Sequence, residues 1–145
     1  MSSRRTVLAL LQLVVAVSMA MPAMAAPPVR LYYFHRNIRC VTCVALGEIT
    51  SWVAEVTFKK EIAAGEFGFE LVNYQSPGNE HFAADFDLEQ PSAVLVASEG
   101  DSVTNWHNLD RIWELSENHK ELETYLTTEI RDFLAEAEAR EPGGK

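Results

Sequence analysis

The chain opens its folded part with Val29-Arg30-Leu31-Tyr32-Tyr33-Phe34-His35, a run of β-formers with almost no polar interruption, the pattern of a strand buried on both faces. Four loop residues later the period changes. From Cys40 to about Lys60 the apolar positions Ala45, Ile49, Trp52, Val53 and Val56 recur at helical spacing, leaving Glu48, Glu55 and Lys59 for the watered side. Gly47 costs such a helix something and suits a place where another part of the chain approaches the backbone. Gly65 ends the helical region, and Phe67 to Tyr74 alternates as a second strand. Strand, helix, strand predicts a right-handed parallel crossover.

Ser76-Pro77-Gly78-Asn79 reads as a turn, followed by a short helix over Glu80 to Phe86. Pro91 then opens Ser92-Ala93-Val94-Leu95-Val96-Ala97, a central strand that hairpins through Ser98-Glu99-Gly100-Asp101 into Val103 to Trp106. Leu122, Leu126, Ile130, Phe133 and Leu134 mark the apolar face of a final helix over Asn118 to Ala139, and Pro142-Gly143-Gly144 belongs to a frayed tail over 140–145. There is no internal repeat and no low-complexity segment.

Ahead of this lies a different kind of sequence. Arg4 and Arg5 precede an apolar run from Val7 to Met21 and then Ala23-Met24-Ala25, the charge, apolar stretch and small-x-small site of a signal peptide over residues 1–25. The alternative is an uncleaved anchor, but the run is shorter than the roughly 20 residues that span a bilayer and is closed by Pro22. Ser3-Arg4-Arg5-Thr6-Val7-Leu8 approximates a twin-arginine signal, with Val7 where an aromatic is usual, so ordinary secretion is the default. The expected location is extracytoplasmic, periplasmic or secreted.

Cleavage after Ala25 leaves 120 of the 145 residues, enough for one domain over 26–139 and too few for two. It also removes two of the 12 basic residues and none of the 21 acidic ones, moving the formal charge from −9 to −11. Nucleic acid is therefore excluded as a partner, as are anionic membrane surfaces once the leader is gone. The expected mature protein is a monomer.

The chemistry concentrates in Cys40-Val41-Thr42-Cys43, which contains both cysteines of the chain. At a helix N-terminus, unpaired N–H groups and the positive end of the macrodipole favour a thiolate, and Arg39, Arg36 and His35 add positive charge nearby. Cys40 is thus the expected nucleophile. A sulfur of low pKa also leaves well, so a mixed disulfide at Cys40 can be resolved by Cys43, three residues along the same helical face. A purely structural disulfide is the alternative, since export permits one. A loop of about four residues gains only about 2 kcal/mol on the chain-entropy formula, against about 3 for fifteen, which makes this a poor staple. An oxidising compartment leaves oxidant, isomerase and dedicated reductant all open.

The order strand, Cys-x-x-Cys, helix, strand, helix, Pro-initiated strand, hairpin strand and helix resembles the thioredoxin fold in minimal form: α/β, with about four strands in a mixed sheet flanked by helices. More narrowly, Tyr32-Tyr33-Phe34-His35 with Arg39-Cys40-x-Thr42-Cys43, and later Trp106-x-Asn108-Leu109 with Ile112-Trp113, is similar to a small exported family labelled nitrophenyl compound nitroreductase subunit ArsF. The thioredoxin resemblance implies Cys40 as attacking and Cys43 as resolving cysteine. It also implies a cis peptide before Pro91 that turns Gln90 and the adjoining backbone toward a substrate peptide for strand-like hydrogen bonding, the alternative being an ordinary trans proline that starts a strand.

Three departures matter. Arg39 stands where typical thioredoxins have tryptophan, Val41-Thr42 replaces Gly-Pro, and Leu31, Tyr32 and Tyr33 occupy the region of the buried carboxylate. His35 and Glu48 are the candidates to tune the thiols in its place. No flavin or nicotinamide fingerprint and no Gly-rich phosphate loop is present, so no cofactor is expected. The implied partners are protein thiols or disulfides and an upstream redox partner. The alternatives are an accessory subunit of a reductase system without turnover of its own, or a soft-metal module in which both thiolates and His35 hold Cu(I). Tyr32, Tyr33, Phe34, Trp106 and Trp113 read as core packing rather than as a ligand pocket.

Overall fold

The computed structural model describes residues 28–140. Strand β1 (Val29–His35) is followed by α1 (Val41–Trp52), α2 (Lys59–Ala64), β2 (Phe67–Asn73), α3 (His81–Asp85), β3 (Ser92–Glu99), β4 (Ser102–Asn108) and α4 (His119–Arg140). The four strands form one sheet in the order β2-β1-β3-β4. Strand β1 pairs parallel with β2 and antiparallel with β3, and β3 pairs antiparallel with β4. This is the minimal thioredoxin-like arrangement expected from the pattern.

The period of two in β1 and β3 divides the core into two layers. Val29, Leu31 and Tyr33, with Ala93, Leu95 and Ala97, face Leu46 of α1 and Leu122, Leu126 and Ile130 of α4. Phe34, Val94 and Val96 face the other way, onto Phe86 and Leu88 around α3. Both strands are therefore enclosed on both sides, which is why their sequences carry so few polar residues.

The long helix expected from Cys40 to about Lys60 is interrupted. After Trp52 the chain takes a π-helical turn over Val53–Thr57, then Phe58 leaves helical geometry (φ −106°, ψ 24°) before α2 begins. A π turn takes in one more residue than an α turn and so displaces the following side chains by about 100° around the axis. The buried face runs through Cys43, Leu46, Gly47, Thr50, Val53, Ala54 and Phe58. Trp52 and Val56, expected inside, are each 50% exposed. The segment is apolar around much of its circumference, so periodicity alone did not decide which side faces the sheet. Thr50 is tolerated inside because its hydroxyl donates to the Leu46 carbonyl at 2.7 Å.

Elsewhere the departures are small. Strand β3 runs on to Glu99, leaving Gly100 (φ 60°) and Asp101 as the turn, as a tight hairpin requires. A short 3₁₀ turn over Asp110–Ile112, unmarked in the pattern, carries the buried Ile112. The Asn118 side chain accepts from the Glu121 N–H at 3.3 Å at the start of α4. Arg140, assigned to the tail, is the last residue of α4. The expected leader over 1–25 and the rest of the tail lie outside the described residues.

The two environments on either side of the π turn are separable by mutation. Phe58→Ala should destabilise by about 3 to 5 kcal/mol, the usual range for emptying a buried phenylalanine site. Trp52→Ala should cost under about 1 kcal/mol. Urea unfolding monitored by far-UV circular dichroism measures both, and equal losses would contradict the observed phase of the helix.

Candidate functional site

The helix start and the thiol chemistry coincide. Cys40 is the N-cap of α1 in extended geometry (φ −75°, ψ 165°), and its sulfur accepts from the backbone N–H of Cys43 at 3.0 Å. The two cysteines are joined in a disulfide with their Cα atoms 5.0 Å apart. Their surroundings differ sharply: Cys40 is exposed, whereas Cys43 keeps only 6% of its surface. Ile38 and Val41, on either side of Cys40, are each 89% exposed.

Beneath the pair lies Tyr33, near the end of β1 and fully buried. Its hydroxyl donates to the Cys43 carbonyl at 2.7 Å. The phenol reaches that carbonyl across Gly47, where a Cβ would lie 2.9 Å from Tyr33 Cε1 and 2.9 Å from Arg39 Nη2. The close approach foreshadowed by Gly47 is thus made by these two side chains. Burial pushes the Tyr33 phenol up to about 12, with the Arg39 guanidinium opposing the rise. Arg39 Nε is buried without a hydrogen-bond partner, so this cation lies over the helix backbone rather than standing free in solvent.

The other candidate residues are dispersed. His35 closes β1 with its Nδ1 3.0 Å from the Arg36 carbonyl. Glu48 is exposed on the side of α1 away from the core. Among the described residues no group of three or more His, Cys, Asp and Glu side chains could hold a metal ion, so the Cu(I) alternative lacks a third ligand there.

Pro91 corrects an expectation. No described peptide bond is cis, so Pro91 follows a trans bond. Side chains fasten the carbonyls around it: Arg36 donates to Glu89, Ser92 Oγ to Gln90 at 2.9 Å, and Trp113 Nε1 to Pro91 at 2.8 Å. The loop is thereby held from within, and the Gln90 carbonyl, part of the backbone expected to meet a substrate strand, accepts from Ser92. Gln90 itself is exposed and Pro91 buried.

Two residues work here in ways the sequence did not indicate: Arg36, named there only as nearby positive charge, and Tyr33. Arg36 also donates to the Tyr74 hydroxyl, linking the loop before Cys40 to the chain beyond β2 and to the segment before Pro91. Tyr33, assigned to core packing, is core by burial but also grips the site. Gly47, one helical turn after Cys43, was the available signal, although it could not name the group that approaches.

The fold and this pair together define a small α/β protein of minimal thioredoxin-like arrangement, with a Cys-x-x-Cys disulfide at a helix start, compatible with a redox role. No family model and no curated protein matches the chain. Among solved structures, one described as "Structure of a malarial protein" is 16% identical, covers 63% of this chain and 96% of that chain, and has a TM-score of 0.37. A likeness that loose assigns neither family nor function.

The Tyr33 phenol gives the site an alkaline signature. Its proton is held more tightly in the folded state than at the ordinary value of 10.0, so its contribution to stability is complete below pH 10 and is lost as pH rises through about 12. Denaturant unfolding across that window should show stability falling more steeply in the wild type than in Tyr33→Phe. Parallel curves would mean that the phenol is not desolvated as described.

Proposed function

We propose that this chain is an exported thiol–disulfide oxidoreductase of the thioredoxin-like kind, acting on protein thiols and disulfides. The observation that carries the reading is the asymmetry of the pair: an exposed N-cap cysteine joined to a buried neighbour three residues on. In the reduced protein, a Cys40 thiolate at the positive end of α1 attacks one sulfur of a partner disulfide. The Cys40–partner bond forms, and the second partner sulfur leaves as a thiolate that takes up a proton. Cys43 then loses its proton and attacks Cys40, forming the Cys40–Cys43 bond and releasing the first partner sulfur. Two electrons pass to the partner, and an upstream dithiol restores the pair. Run in reverse, the same steps oxidise a partner dithiol, with the direction set by relative potentials. Neither direction needs a bound cofactor.

Export is part of the proposal because the leader-like first 25 residues and an accessible disulfide state belong together. A staple would have no use for an exposed cysteine at a helix cap, whereas attack requires it.

In the reduced protein, alkylation of Cys40 followed against pH should show a midpoint below about 8.5, the unperturbed thiol value. A midpoint at or above that value would remove the electrostatic basis of the assignment. Cys43→Ser should trap partner proteins through Cys40 in its native compartment, because the resolving thiol is gone, while Cys40→Ser, Cys43→Ser traps none. If the single variant captures nothing that the double variant does not, the accessory-subunit reading is preferred.

A further inference from the structure

Resolution makes a geometric demand that attack does not. The Cys40 thiolate is exposed and a partner can come to it, but Cys43 is 6% exposed and its approach to the Cys40 sulfur is set by the protein alone. In the oxidised form the disulfide holds this turn. Once that bond is open, the first turn of α1 depends on non-covalent contacts, and the ends of helices are where backbone groups lack intrahelical partners and fray.

We propose that Tyr33 is the positioning residue for the resolving step, its hydroxyl holding the Cys43 carbonyl so that Cys43 stays aimed at the Cys40 sulfur, and that residue 47 is glycine to let the phenol through. The inference rests on the exchange reaction proposed above and names the device that completes it. Three observations converge. The donor is fully buried on the central strand β1, so its position is fixed by the core. The acceptor belongs to the resolving cysteine, 2.7 Å away. The residue four places on has no side chain where a Cβ would strike both the Tyr33 ring and Arg39, and Arg39 closes over the same spot. A mid-helix glycine costs about 1 kcal/mol relative to alanine, which the close approach explains.

The phenol acts here as a donor and not as a base. Burial keeps it protonated at neutral pH, so it does not take the proton from Cys43, which passes to solvent or to the departing thiolate. Tyr33 therefore acts on where Cys43 sits, since its hydroxyl bonds the Cys43 carbonyl and not the Cys40 sulfur.

The test mixes reduced full-domain protein with oxidised glutathione, quenches with acid and follows the Cys40–glutathione mixed disulfide by mass spectrometry. For Tyr33→Phe, which keeps the ring and removes the hydroxyl, formation of the mixed disulfide should stay within about twofold of wild type. Release of glutathione by Cys43 should slow about fivefold, the rate equivalent of one net hydrogen bond. Gly47→Ala, whose Cβ would press on the Tyr33 ring and on Arg39 alike, should also slow release, whatever the displaced Arg39 does to formation. A merely structural loss would lower the melting temperature without separating the two rates. Unchanged release in either folded variant overturns the proposal.

A measurement on the wild type alone guards against variants that fail to fold. Amide hydrogen exchange in the reduced protein should leave the first turn of α1 as protected as in the oxidised protein, and loss of that protection on reduction also overturns the role of Tyr33. If reduced wild type forms no mixed disulfide at all, the exchange reading itself fails, a result distinct from normal formation with normal release.

Discussion

The enclosure of β1 is the constraint on which the rest of the molecule depends. Its backbone is paired on both edges, parallel to β2 and antiparallel to β3. Leu31, Tyr33 and Phe34 have no exposed surface. Moving this strand would break two ladders and open both core layers at once, so its far end is a stiff platform. The cysteine loop leaves from that end, which lets a flexible-looking stretch with an exposed Ile38 and Val41 present the Cys40 sulfur in a defined place.

The site inherits its order through polar groups rather than through more apolar burial. From β1, Tyr33 reaches up to the Cys43 carbonyl, and just after the strand Arg36 reaches sideways to Tyr74 and Glu89. Two adjoining parts of one chain segment thus hold the first turn of α1 and the loop before β3. Side-chain donors from Arg36, Ser92 and Trp113 meet the carbonyls around Pro91, so a trans proline is accommodated in a loop whose polar groups are satisfied internally. The Gln90 and Pro91 carbonyls are half-buried, and left unmatched each would cost on the order of 1 to 3 kcal/mol. Their satisfaction is what lets an irregular loop lie beside the sheet.

The π turn and Gly47 show how the same helix meets two demands. Close to the cysteines, Gly47 brings the backbone against Tyr33 and Arg39. Farther along, Val53, Ala54 and Phe58 continue the buried face while Trp52 and Val56 remain half outside, with the π turn over Val53–Thr57 set between α1 and Phe58.

The sequence by itself determined the parts of this protein whose signal is local. Continuous apolar runs identified β1 and β3 because strands enclosed on both faces have no place for polar side chains. Leu122, Leu126, Ile130 and Phe133 identified α4 because it is amphipathic with one sheet to face, and Cys40 fell at a helix start because a loop and a change of period precede α1. Only the tertiary structure decided which face of α1 turns inward, since that segment is apolar on more than one side. It alone decided that Arg39 lies over Gly47, that Arg36 and Trp113 fasten the Pro91 loop, and that Tyr33 grips Cys43. Each of these joins residues of different segments, and no periodicity within a single segment records which carbonyl a buried hydroxyl or guanidinium meets once the segments have packed.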